Sequence, residues 1–151
     1  MTTTLWIRSV KPMIQAVIGL KGSGKTKRMI DMANDALKVE HGNIVFIDDD
    51  KRYMYDLRHE IRFVDISEYI AKDRRSADAF LSFVGGMLAA NYDITLICVD
   101  AFYRLVNSDW ADMEELFARL NALSEAHHCT FLLSLSADPA TLPEFITKYA
   151  I

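Results

Sequence analysis

The chain has little of what marks secreted, membrane-spanning or nucleic-acid-coating proteins. It carries only two cysteines in 151 residues. Cys98 and Cys129 lie in or beside apolar stretches without paired spacing, so they read as reduced core thiols rather than a disulfide framework or metal site. No apolar run is long enough to cross a bilayer. The opening Met-Thr-Thr-Thr-Leu-Trp-Ile-Arg has no apolar segment of the kind a signal peptide needs. A cytoplasmic location without a membrane span is the expectation. Basic charge is not in excess: 17 Lys and Arg stand against 21 Asp and Glu, a net charge of −4. That leaves no global attraction to nucleic acid or anionic lipid. Four histidines are present, none at ligand spacing: His41 and His59 stand alone, and His127 and His128 are adjacent at a predicted helix end. No repeat, low-complexity tract or Pro/Ser-rich linker interrupts the chain.

What remains is a hydrophobic fraction of 51%, enough for the full core of one domain. The core pattern starts at Met13, which divides the chain into an appendage, residues 1–12, and a single domain, residues 13–151. Within it, Gly19-Leu20-Lys21-Gly22-Ser23-Gly24-Lys25-Thr26 matches G-x-x-x-x-G-K-[ST]. Glycines allow positive φ and close backbone approach to an oxyanion. Successive N–H groups and the following helix N-terminus then face a phosphate. In that pattern Lys25 reaches the β- and γ-oxygens and the Thr26 hydroxyl sits on Mg²⁺. Residues 13–18 read as a buried strand entering the loop, and Met29, Ile30, Ala33, Ala36 and Leu37 recur at helical spacing after it.

Downstream, the apolar run 43–47 predicts a second strand, and 61–64 a short edge strand. Residues 76–91 predict a helix, with Gly85-Gly86 marking a kink or close packing. Residues 94–99 form the most apolar strand. A long amphipathic helix is expected from Trp110 with Asp109 as its N-cap, then a strand over 130–135 and a final helix opened by Pro143. The first helix, about 26–40, is expected to end with Gly42 as C-cap. Strands alternating with helices imply a mainly parallel sheet covered on both faces, a three-layer α/β/α sandwich. Functional groups then gather at the carboxyl ends of the strands.

Four such ends carry candidates. Asp100 closes the most apolar strand and is placed to hold Mg²⁺ with Thr26. The next residue is Ala101, an alanine that cannot polarise a nucleophile. Asp48, Asp49 and Asp50 follow the second strand, and mutual repulsion raises the pKa of at least one if they are partly buried. A carboxylate so poised accepts a hydroxyl proton, the alternative being a solvated acidic loop. Ser134 and Ser136 sit where a hydroxyl senses a γ-phosphate. Lys27 and Arg28 read as solvated helix residues. Arg52, Arg74, Arg75 and Arg104 are possible phosphate contacts that nothing in the pattern separates.

Together these residues resemble the P-loop NTPase superfamily, in its RecA-like (ASCE) division, over nearly all of the chain from Met13. Lys21, at the third position of the octet, separates it from the partition-type ATPases, whose loop lysine is at the second. Asp50-Lys51-Arg52-Tyr53 resembles the D-x-R-Y of thymidine kinases, although their glutamate after the position of Asp100 and their zinc-bearing lasso are missing. Phe46-Ile47-Asp48 and the segment from Ser134 to Pro143 are similar to the pumping ATPases of DNA translocation and of phage or pilus assembly. The chain also resembles small bacterial ATP-binding proteins that are pilus-retraction-like in name. The resemblance implies ATP or GTP as ligand and Mg²⁺ as cofactor. Three activities stay open: weak NTP hydrolysis, phosphoryl transfer to a nucleoside or other small metabolite, and nucleotide sensing without turnover. A protein partner or homo-oligomer fits the last, unidentified from sequence.

Overall fold

The computed structural model describes residues 13–151, so the predicted appendage, residues 1–12, lies outside the described residues. Five strands form one sheet: β1 (Ile14–Gly19), β2 (Asn43–Asp48), β3 (Arg62–Asp65), β4 (Ile94–Val99) and β5 (Thr130–Ser136). Their spatial order is β1-β5-β4-β2-β3, and every pairing is parallel. The predicted α/β sandwich is the observed architecture.

Chain order and handedness explain the layers. From β1 the chain crosses two strands to reach β2, carrying α1 (Lys25–Ala36) over one face. The return steps to β4 and β5 run the other way, so right-handed crossovers place α2 (Ala77–Ala90), α3 (Phe102–Val106) and α4 (Glu114–His127) on the opposite face. The core divides accordingly. Met29, Ile30, Ala33 and Ala36 of α1 pack on Val17, Phe46, Leu96, Cys98 and Leu132. The other face joins Phe80, Phe102, Phe117 and Leu120 to Val45, Ile97, Phe131 and Leu133. The connections leaving β2 and β4 run in opposite directions, so the ends of these neighbouring strands flank a topological switch, where parallel sheets open a crevice.

On the outer edge of β1, the Ala16 N–H donates to the Tyr149 carbonyl at 2.9 Å and the Ile151 N–H to the Ala16 carbonyl at 3.0 Å. These bonds follow α5 (Glu144–Thr147), for which Pro143 stands at the N-cap as expected. Cys98 and Cys129 are buried and free. Burial pushes both thiols up, Cys129 to about 12, so neither forms a reactive thiolate.

Three local expectations are corrected. Gly42 is not a helix cap: α1 ends at Ala36 with Leu37 as C-cap in right-handed helical backbone. A Cβ on Gly42 would collide with the Asp93 carbonyl oxygen and the Thr95 side chain, so the glycine is there for close approach. Gly42→Ala should destabilise by about 1–3 kcal/mol, lowering Tm by roughly 3–10 °C; an unchanged melt would show that the turn yields freely. Gly85 and Gly86 are not close-packing sites, since a Cβ on either meets nothing within 4 Å.

The long helix expected from Trp110 is present as α4 but starts at Glu114, and Trp110–Asp112 form a separate 3-10 turn before it. Asp109 makes no side-chain cap bond. Trp110 instead packs on Tyr103, with ring centroids 4.8 Å apart, and so ties the turn to α3. The α3 helix itself, five residues long, is too short to leave a periodic signature. Edge-to-face contacts of Phe102 with Phe80 (5.5 Å) and Phe117 (5.9 Å) anchor it, each contributing about 0.5–1.5 kcal/mol beyond area burial.

Candidate functional site

The carboxyl ends of β1, β2, β4 and β5 open into one cleft of about 1000 Å³. Its lining includes Lys25, Thr26, Asp48, Asp100, Arg104 and Ser134. The octet forms the turn between β1 and α1. Gly22 (φ 81°) and Gly24 (φ 87°) take the left-handed backbone that a side chain resists, and Gly24 is the N-cap of α1. A Cβ on Gly19 would lie 2.6 Å from Ser23 Oγ, so this glycine lets the loop fold back on its own strand. Gly24, Lys25 and Thr26, at the N-terminus of α1, line the cleft, and a helix N-terminus favours an anion. The Lys25 ammonium donates to the Leu20 carbonyl at 2.9 Å across the loop. Burial lowers the Lys25 pKa, and the nearby Asp100 carboxylate partly offsets this.

Thr26 and Asp100, distant in sequence, meet directly: the Thr26 hydroxyl donates to Asp100 Oδ2 at 2.9 Å. Ser134 donates to the other oxygen, Oδ1, and accepts from the Ala101 N–H at 3.3 Å. Asp100, Asp48 and Ser134 are buried polar side chains gathered at the switch. Ser136, two residues further along β5, is exposed on the cleft wall.

Ala101 has φ 58° and ψ 35°, left-handed for a residue with a Cβ, which costs about 1–2 kcal/mol. It caps α3 in the way Gly24 caps α1. Ala101→Gly should relieve this strain and, after the entropy loss of glycine, raise stability by about 0.5–1 kcal/mol. A lowered Tm would show that the methyl group's packing outweighs the strain.

The three consecutive aspartates have different surroundings. Asp48 is 3% exposed. Burial, then the Asp100 charge, raises its pKa to about 7, although the Asp49 N–H donates to its Oδ1 at 2.7 Å. Asp49 faces Arg104, which grips it with Nε at 2.9 Å and Nη2 at 3.1 Å. That bidentate bond holds the Asp49 carboxyl below the usual carboxylate range. Asp50 accepts the Arg52 N–H at 2.8 Å and pairs with its guanidinium at 3.3 Å, closing its own turn. Of the four arginines, Arg104 and Arg52 line the cleft, and Arg75 lies behind Asp49 at 3.6 Å. Arg104 could have been singled out only by anticipating α3, which presents the side chain one helical turn after Asp100. Lys27 is solvent-exposed and paired with Asp31, as expected of a helix surface.

No protein-family profile matches the chain, and no curated protein sequence matches it. Among solved structures, it is similar to the flagellar accessory protein FlaH from Methanocaldococcus jannaschii, with a TM-score of 0.55 at 14% identity, over 96% of this chain and 70% of that one. The fold is RecA-like. At this identity the likeness speaks to architecture, so the chemistry must come from the cleft. Among the described residues, no helix is long and apolar enough to cross a membrane.

Proposed function

We propose that the RecA-like cleft binds a nucleoside triphosphate, ATP or GTP, with Mg²⁺ and turns it over slowly. The observation that carries this reading is the meeting of Thr26 with Asp100 beneath a loop whose glycines hold positive φ. The loop N–H groups, from Gly19, Leu20, Lys21, Gly22, Ser23 and Gly24 into α1, cradle the β-phosphate, and Lys25 exchanges the Leu20 carbonyl for phosphate oxygens. Thr26 and Asp100 offer two hard oxygen donors of the kind Mg²⁺ takes beside phosphate. When bound, Mg²⁺ supplies charge neutralisation to the β- and γ-oxygens.

Ser134 holds the Asp100 carboxylate in place, and Arg104 adds positive charge on the cleft wall. With alanine at position 101, the group best suited to accept a proton is Asp48, buried at the strand end next to Asp100. Asp49 is committed to arginine and Asp50 to its own turn, which makes them weaker candidates for that role. A second reading, transfer to an acceptor hydroxyl, is favoured by the cleft's extension along Arg52, Tyr53 and Asp56 beyond the loop.

Calorimetry with Mg-ATP and Mg-GTP, followed by phosphate-release assays with and without candidate nucleosides, tests both readings. Release without an acceptor supports hydrolysis, and a phosphorylated acceptor supports transfer. Tight binding with neither product leaves a nucleotide-sensing module. Absence of binding to both triphosphates would overturn the proposal.

A further inference from the structure

Asp49 stands between two guanidinium groups of opposite character. Arg104 is on α3, 60% exposed and on the cleft wall, and it takes both carboxylate oxygens of Asp49, itself only 10% exposed. Arg75 approaches from the other side, immediately before Ser76, the N-cap of α2. Its side chain is 7% exposed, its Nη1 lies 3.6 Å from Asp49 Oδ2, and its Nε and Nη2 have no hydrogen-bond partner among the described residues. The exposed guanidinium thus holds the bonds that the buried one lacks. The Arg104 bond is open to solvent on the arginine side alone, whereas a buried cation with unmet donors is costly.

We propose that Arg75 is a positioning residue that takes Asp49 over when Arg104 turns to the terminal phosphate of a bound nucleotide. The proposal rests on the nucleotide reading above. Arg104 gains a bidentate, charge-assisted contact to phosphate. Asp49 meanwhile closes on Arg75 from 3.6 Å to about 2.9 Å, so its buried charge is never left alone. Without Arg75, the departure of Arg104 would strand that carboxylate, and Arg104 would be held back from the ligand.

The exchange answers to the terminal phosphate, so triphosphate and diphosphate should respond differently. Calorimetry with Mg-ATPγS and Mg-ADP on the full chain measures this. Arg75→Met should weaken ATPγS at least about 10-fold and leave ADP within about 2-fold. Adding Asp49→Asn, which removes the charge that retains Arg104, should bring ATPγS back to within about 3-fold of wild type. Arg104→Ala should remove the preference for triphosphate over diphosphate. Equal loss of both ligands in Arg75→Met, no loss at all, or no recovery in the double variant would overturn the exchange while leaving nucleotide binding intact. If the wild type binds neither ligand, the nucleotide reading falls and takes this proposal with it. Should Arg75→Met not fold, the wild-type structure with Mg-ATPγS decides. Asp49 on Arg75, with Arg104 turned into the cleft, is the expected arrangement; a retained Arg104–Asp49 pair overturns it.

Discussion

Lys25→Ala should reduce affinity for Mg-ATP by at least about 100-fold while leaving the fold intact. The ammonium reaches back across the loop to the Leu20 carbonyl. Replacing the carbonyl with two phosphate oxygens creates charge-assisted bonds worth about 1.5–3 kcal/mol each. Burial already lowers the Lys25 pKa, with Asp100 opposing the shift, so an arriving anion also relieves the cost of keeping the amine charged. Little of this supports the folded state, because the bond to Leu20 is solvent-exposed and alanine is a strong helix former at the first position of α1. The melting temperature without ligand should therefore stay within about 2 °C of wild type. The stabilisation that saturating ATP confers on the wild type should vanish. Calorimetry and thermal melts with and without ATP test both halves. ATP affinity equal to wild type would remove the octet from the binding site altogether.

The sheet was legible because its strands are buried on both faces and so read as unbroken apolar runs. Ile94–Val99 is the clearest example, and Asp100 stands out as the first charge beyond it. The glycine octet was legible because its spacing is itself a backbone requirement, seen in the positive φ of Gly22 and Gly24. Gly42 misled because a glycine after a helix has two explanations, conformational freedom or close approach, and only the position of Asp93 and Thr95 separates them.

The three aspartates could not be ranked from their order in the chain. What distinguishes them arrives from elsewhere: Asp100 beside Asp48 from β4, Arg104 on Asp49 from α3, and Arg75 behind it from the loop before α2. The same holds for the strand order. That β5 lies between the loop strand and the Asp100 strand is a tertiary fact, yet it gives Ser134 its hold on Asp100 and Ala101.

Asp48→Asn should separate binding from chemistry. If Asp48 accepts the proton of the attacking water or acceptor hydroxyl, its loss should lower turnover about 10²–10⁴-fold, with Mg-ATP affinity changed less than about 3-fold. The side chain is nearly isosteric, so the cleft keeps its shape. Only ionised Asp48 is a base, so wild-type turnover should rise with pH as the group ionises around 7, and a cation on Asp100 would move that rise to lower pH.

The same residue sets a stability trend of opposite sign in the ligand-free protein. Burial and Asp100 raise its pKa from 3.8 to about 7, so the folded state holds a proton that the unfolded chain has released. That contribution is fully present below pH 3.8 and is lost as pH rises through about 7. Wild-type stability should therefore fall between about pH 4 and pH 8 relative to Asp48→Asn, which carries no charge to bury. At pH 8 the variant should be the more stable by about 2–4 kcal/mol, while its catalysis is the weaker. A variant that melts below wild type at pH 8 would contradict the buried, raised carboxyl. One that keeps full turnover would remove Asp48 as the base and return the question to Asp49, Asp50 or a water held by Ser134.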